Sequence, residues 1–436
     1  MRRICLTLPT DRACAPAITG LAREAAHGAR TFGVEVHVLV LDSAPADARA
    51  EHRVVIENLT PAPGVVVHHL DERAQRALLR DIVATAAPAD ADRLLHLLLP
   101  AGVSYGACTN RAFLIAESLG CDSVHRRDSD SSYQEHAGAT VFPLHQELAF
   151  LDATASDAGA RVSARRLRPD SRDRQVALVG GSFIGAMSVD LDGVRQRDPA
   201  AYERLLALTV PDDYPALWRP TLVADSFRGG GTTEFTEDRT ILTRVPPTRV
   251  DMCNIALSRA VYTRVPLPPA RDTVGSDYFL LHVVHAAALP GVLHNRHIVN
   301  HHTPDRRTDE AFLAYQVRLA KYVLAVPRLH GIHTALGAAG PELLDDDGRI
   351  RTAAVADPVR LSAADPRPGD AHRLDALDAV LRDLGGRWAA AADLLNARRD
   401  ELLAEARTDM ADFAFLLGAW PALTASARAR QAVSTR

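Results

Sequence analysis

Two stretches, Arg3-Ile4-Cys5-Leu6-Thr7-Leu8 and Val34-Glu35-Val36-His37-Val38-Leu39-Val40-Leu41, decide the fold class of this chain. Each has the length and apolar content of a buried strand, and the second stops at Asp42. Between them Ile18, Leu21, Ala22, Ala25, Ala26 and Ala29 recur at the spacing of one helix face. Strand, helix and strand within about 40 residues make a right-handed βαβ unit of a parallel sheet. A third strand is expected at Val65–Leu70 after Pro63-Gly64, then a helix near 72–87 and an apolar segment at 94–99. A further helix opens at Gly106 and runs to Leu119, with Gly120 as its C-cap. A short strand from Cys121 to His125 then delivers the turn Arg126-Arg127-Asp128-Ser129-Asp130. Ligands of such an α/β lobe are expected at the carboxyl ends of its strands.

The second half is less regular. Residues 154–175 read as a polar linker or excursion, and 176–190 as a strand interrupted by Gly180, Gly181 and Gly185. Gly229-Gly230-Gly231 reads as a loop, either over an acceptor or as a plain connector; it lacks the Gly-Lys-Ser/Thr sequence of a phosphate-binding P-loop. Residues 279–288 and 311–327 read as helices, 340–370 as a connector, and the Leu periodicity from Leu374 onward as further helices. The expected organisation is a domain at 1–305, with a nucleotide-binding half at 1–150 and an acceptor half at 176–305. A mainly helical extension at 306–436 follows. The apolar tail Phe413–Leu417 is expected to pack on the lobe, with an oligomer contact as the alternative.

Composition narrows the class. The chain is 47% hydrophobic and 24% charged with a net charge of -4, which gives no basic excess for nucleic acid. Lys321 is the only lysine, so amine nucleophile chemistry would have to rest on it. Five widely spaced cysteines without a Cys-x-x-Cys pattern imply reduced thiols and a cytoplasmic protein. The basic and apolar N-terminus is too short for a signal segment, and no apolar run is expected to span a membrane.

Asp128 and Asp130, on a turn after a strand, are candidate ligands of a divalent cation bridging a diphosphate. The bland alternative is a solvated turn. Arg126 and Arg127 flank the pair and carry charge to offset a diphosphate, and the helix start at Asn110-Arg111 offers an anion site. Asp277 in Gly275-Ser276-Asp277-Tyr278 is a candidate general base, an N-cap, or both. His294, His297, His301 and His302 offer a metal ligand, with His301 or His302 favoured. His297 and His301 lack the following Glu of a hydrolytic zinc helix.

The order of these segments resembles glycosyltransferases of the GT-A fold, especially family 2-like members, over about residues 3–305. The matching segments are Pro9-Thr10-Asp11-Arg12, Asp42, Gly106 to Ala112 with Asn110 and Arg111, Asp128 and Asp130, and Asn254 to Arg259. Asp277 and the later His follow. The resemblance implies a Rossmann-type nucleotide-diphospho-sugar transferase lobe. Pro9, Thr10, Arg12 and Asp42 would contact the nucleotide, together with Asn110, Arg111, Arg127 and Asp128. Asp130 with His301 or His302 would hold Mn²⁺ or Mg²⁺. Ser276 stands where the family carries Glu, which leaves Asp277 as the single candidate base and the stereochemistry open. The expected activity is transfer of a sugar from a UDP- or GDP-linked donor to a small-molecule or peptide acceptor. The alternatives are a sugar-phosphate nucleotidyltransferase, which would want a Gly- and Lys-bearing loop that Pro9–Thr19 lacks, and a non-catalytic GT-A-like binding protein.

Overall fold

In the computed structural model the described residues are 1–434 without 168–170, 187–190, 212–214, 216, 218–232, 302–307 and 368. The N-terminal half follows the hydrophobic period closely. β1 (Arg3–Thr10), α1 (Ala15–Phe32), β2 (Glu35–Asp42), β3 (Val65–Asp71) and α3 (Glu72–Ala86) fall where the sequence puts them. α2 (Ala46–Glu57) has no expected counterpart, because it buries only Ala48 and His52 and shows no apolar stripe. The 94–99 run belongs to helix α4 (Ala91–Leu98). α5 (Tyr105–Ser118) is capped by Ser104, whose side chain accepts from the Ala107 N–H, and the chain leaves it through Gly120 at φ 75°. β4 (Ser123–Arg126) completes the lobe.

β5 (Ser131–His136), β6 (Ala139–Val141) and α6 (Leu144–Phe150) come next. The expected linker at 154–175 holds α7 (Ala155–Arg161) and β7 (Ala164–Arg165). β8 (Leu178–Gly180), β9 (Phe183–Gly185), α8 (Leu191–Arg197), α9 (Pro199–Leu208), β10 (Thr240–Thr243), β11 (Ile255–Ser258) and α10 (Arg259–Tyr262) follow. The domain ends with α11 (Phe279–Ala286), β12 (Gly291–His294) and β13 (Ile298–Asn300). The main sheet has nine strands in the order β3-β2-β1-β4-β11-β8-β12-β10-β7. β3, β2, β1 and β4 are parallel, and β11 runs antiparallel to both β4 and β8. A smaller sheet, β6-β5-β13-β9, stands beside the end of β4. The protein is therefore a mixed α/β fold with a helical C-terminus.

The C-terminal helices are α12 (Asp309–Ala339), α13 (Thr352–Ala364), α14 (Asp370–Leu384), α15 (Arg387–Ala397) and α16 (Arg399–Ser434). α13 lies inside the expected connector, its signal broken by Pro358. α16 does what was expected of the apolar tail. Phe413, Leu416, Leu417 and Trp420 are fully buried in one core with Phe113, Tyr262 and Phe279. Trp420 Nε1 donates to the Tyr262 carbonyl and Ser426 Oγ to that of Ile82. Contrary to the expectation from sequence, residues Arg399–Arg430 of this helix are long and apolar enough to cross a membrane, and in the fold they line the protein core.

Candidate functional site

β1 lies between β2 and β4, and the chain fills the β2 side before it returns to the β4 side. Open α/β sheets bind ligands in the crevice outside the carboxyl ends of their strands at such a reversal. Two clusters lie at that edge, one at β2 and β3, the other at β4.

At the first, Asp42 is fully buried. Its Oδ1 accepts from the Ala44 N–H at 3.0 Å, and its Oδ2 accepts from His52 Nδ1 at 2.9 Å and His69 Nε2 at 2.7 Å. Burial alone would raise this carboxyl; the bonds from His69 and His52 outweigh it and hold Asp42 below the usual carboxylate range. The Asp42 carboxylate is thus saturated by the chain and cannot contact a nucleoside directly, which corrects the role expected for it.

The trio Asp42, His52 and His69 has the donor set of a metal site. His52 argues against one. Its Nε2 accepts the Cys14 backbone N–H at 3.0 Å, which leaves the ring proton on Nδ1, aimed at Asp42. A metal-bound imidazole donates from its second nitrogen, and here that nitrogen faces a donor. The trio is a hydrogen-bonded relay tying the ends of β2 and β3 to the start of α1. Beside it, Thr10 Oγ1 donates to the Arg12 carbonyl and Arg12 Nε pairs with Asp11, which closes the turn after Pro9.

At the end of β4, Arg126 joins two acids that lie 149 positions apart in the chain. Nη1 donates to Asp277 Oδ2 at 2.9 Å and Nη2 meets Asp128 Oδ1 at 3.1 Å. Asp277 is 8% exposed and Asp128 30% exposed, so the pair opens to solvent on the Asp128 side. Burial raises the Asp277 carboxyl above the usual range, with Arg126 opposing it, and Asp128 and Asp251 add to the rise. Tyr278 donates to Asp251, whose other oxygen accepts the Cys253 N–H. Asp251 carried no sequence signal; only the turn before β11 places it here.

β13 pairs with β5 in the register Asn300–Ser131, which sets His301 next to Asp130. The His301 N–H donates to the Asp130 carbonyl at 2.9 Å, while its Nε2 meets Ser132 Oγ at 2.8 Å. Asp130 is 7% exposed. His302 and the Gly229–Gly231 loop lie outside the described residues. His297 is committed elsewhere: its Nδ1 accepts the Ser182 N–H, and burial lowers its pKa to about 4. His294 is buried with both ring nitrogens unpartnered among the described residues, and burial lowers it to about 3.

Three expected ligand contacts fail for identifiable reasons. Arg127 is buried and spends its guanidinium on Glu24, Glu147 and the Arg126 carbonyl. Asn110 is fully buried and brackets the Leu267 backbone, donating to its carbonyl at 2.9 Å and accepting its N–H at 2.8 Å. Arg111 turns to the Leu98 carbonyl at the end of α4. The α5 N-terminus is closed as an anion site, because Ser104 and Gly106 press on residues 267–270. A Cβ on Gly106 would stand 1.9 Å from the Pro268 carbonyl oxygen. Gly106→Ala is expected to cost about 3 kcal/mol of stability, as overpacking against backbone. An urea midpoint equal to wild type would refute the close packing.

The chain matches, over residues 2–436, a family described as a family of unknown function, DUF6271. It belongs to that family. Comparison with curated proteins gives no match. For this DUF6271 chain a similar solved structure is the crystal structure of a mycobacterial protein, 15% identical, covering 76% of this chain and 74% of the other, at a TM-score of 0.33.

Proposed function

We propose that the protein is a metal-dependent glycosyltransferase of GT-A type, cytoplasmic, moving a sugar from a UDP- or GDP-linked donor to an acceptor hydroxyl or amine. One observation carries the reading. At the strand-order reversal, Arg126, Asp128 and Asp277 are in direct contact, and Asp130 and His301 are neighbours through their backbones. These residues come from two regions far apart in the chain, and they are the residue types that a nucleotide-diphosphate site needs. The five free cysteines suit a reducing compartment.

Carboxylate oxygens with one imidazole suit Mn²⁺ or Mg²⁺. Asp130 and His301 would hold it, with Asp128 adjoining, and His301 would exchange its Ser132 partner for the ion. The cation supplies charge to the leaving diphosphate. The chain's own groups do the rest. Arg126 orients Asp277 by holding Oδ2, and Oδ1 has no partner among the described residues. As the anomeric carbon-to-diphosphate bond breaks and the bond to the acceptor forms, Asp277 takes the acceptor proton. Burial makes it a stronger base than a solvated Asp.

A second reading, a non-catalytic binding protein of the same fold, is favoured by Arg126, which already offsets the charge of Asp128 and Asp277.

Melting temperature measured with UDP, GDP and their sugars, with and without Mn²⁺, tests the proposal. A ligand at 100 times its Kd stabilises by about 2.7 kcal/mol. A Mn²⁺-dependent shift is expected in wild type and its loss in Asp130→Ala. Absence of any shift in wild type would sink the site. A shift without turnover of any nucleotide sugar would favour the binding protein.

A further inference from the structure

The edge of the main sheet farthest from β3 is strongly basic. Residues 161–174 hold six arginines against two aspartates, a balance of +4 in a chain whose total is -4. Five of the six are described. Arg161 closes α7, Arg165 ends β7 and Arg166 follows it, while Arg172 and Arg174 lie on the segment that returns beside the start of α7. The Ala155 and Ser156 N–H groups fix that return by donating to the Arg174 and Arg172 carbonyls, and the Arg166 N–H donates to Leu242 on β10. Arg161, Arg165, Arg166 and Arg172 are exposed, and none of the five has an ion-pair partner among the described residues.

Two of these guanidinium groups are seated without a counter-charge. Arg161 Cζ lies 5.0 Å from the centroid of the buried Phe150 ring, and Arg161 Nε donates to the Asp157 carbonyl at 3.3 Å. The Arg165 guanidinium lies against Gly159, where a Cβ would stand 2.7 Å from its Cζ. Ring stacking and a missing side chain thus hold two cations that would otherwise rotate freely, which lowers the ordering cost of meeting an anion. Positions 159 and 161 lie about 200° apart around a helix, so the two groups flank α7 and do not converge on one phosphate. Such an array suits a partner that repeats its negative charge over a surface. Residues 153–175 carry no aromatic side chain on which a nucleic-acid base could stack. Four strands separate β7 from β4, a distance of about 24 Å, so the array is out of reach of a diphosphate at Asp128 and Asp130.

We propose that this edge docks the protein on an anionic phospholipid membrane, with Arg161, Arg165, Arg166 and Arg172 taking the headgroup phosphates. The planar guanidinium fork matches phosphate oxygens two at a time. The proposal is independent of the nucleotide site.

Co-sedimentation with vesicles tests it, comparing phosphatidylglycerol mixed into phosphatidylcholine with phosphatidylcholine alone. Wild type should bind the anionic vesicles, leave them as salt rises, and ignore the neutral ones. Each arginine at an anionic surface contributes about fivefold in affinity. Arg161→Gln, Arg165→Gln, Arg166→Gln and Arg172→Gln combined should therefore weaken binding by at least about 100-fold. All four are exposed, so the melting temperature should stay that of wild type. Arg73→Gln, Arg76→Gln and Arg80→Gln combined remove exposed charge from α3, at the other end of the sheet, and should leave binding unchanged. No binding of anionic vesicles by wild type, or equal losses in the two variants, would overturn the proposal. Tighter binding of DNA or RNA oligonucleotides, lost in the four-residue variant, would overturn it too and assign the edge to nucleic acid.

Discussion

Arg127→Met is expected to destabilise the protein by about 3–5 kcal/mol at pH 7, the cost of breaking a buried ion pair from one side. Arg127 lies between Glu24 and Glu147, both fully buried, and bonds each carboxylate through both oxygens at 2.9–3.0 Å. The same carboxylates take the Tyr133 hydroxyl, the Leu144 N–H and His125 Nδ1. Removing the guanidinium leaves two acids in a dry interior with too few donors. Burial alone would raise Glu147; Arg127 and His125 outweigh it and lower its pKa from the ordinary 4.5 to about 2. A carboxyl whose folded pKa is depressed contributes stability that is present above 4.5 and is lost as pH falls toward 2. The difference between wild type and Arg127→Met should therefore shrink as pH falls through that window. Urea unfolding at pH 7 and at pH 3 measures it. A constant difference across the two would mean that Glu147 does not draw its ionisation from Arg127.

The second large effect is expected at the single lysine. Lys321 Nζ has three donors and meets three acceptors, the Arg271 carbonyl at 2.7 Å and Glu405 and Asp409 at 3.0 Å each. Its side chain is 1% exposed. The ammonium ties α12 to α16 and to the segment that leads to Asp277. Among the described residues Lys321→Met leaves Glu405 with the longer contacts to Arg271 and Arg398, and Asp409 without an ion-pair partner, at an expected cost of about 3 kcal/mol. Lys321→Arg should not restore it, because a planar fork does not match three converging acceptors. In a chain whose basic residues are otherwise all arginine, this geometry gives a physical reason for a lysine here. Burial pushes Asp409 up to about 6 even with Lys321 opposing it, so without the ammonium the carboxyl rises further, and the deficit of the variant should narrow as pH falls toward 6. Full stability of Lys321→Arg in urea would show that charge alone matters.

The N-terminal lobe was legible because its strands are buried on both faces and read as near-continuous apolar runs, and α1 carries a clear apolar stripe. α2 and α13 escaped because one buries only Ala48 and His52 and shows no apolar stripe, and the other carries an internal proline. At the site, Asp128, Asp130, Asp277 and His301 stood out as isolated polar groups near turns, and the fold does bring them to one edge. The neighbouring arginines did not sort themselves. Side chains alternate across an extended strand, so Arg126 and Arg127 point to opposite faces, one to the acids at the edge and one into the core. A bare sequence does not tell which is which. Asn110 and Arg111 misled because α5 is buried all round, between the sheet and α16, so its polar residues serve backbone groups rather than solvent. Glu24, His52 and Glu147 were invisible for the same reason: a polar residue on a helix reads as solvated until a partner from another element is seen.

The sequence by itself determined the α/β class, the parallel order of its first elements, the helical C-terminus and the acidic turn after β4. These follow from local periodicity and turn chemistry, which act within a few residues. Only the tertiary structure decided that Asp42 is sealed by His52 and His69, that Arg126 joins Asp128 to Asp277, and that Arg127 belongs to the core. Each of those depends on which side chain from a distant element satisfies a buried charge or donor. That pairing is set by the packing of whole elements and leaves no local mark in the chain.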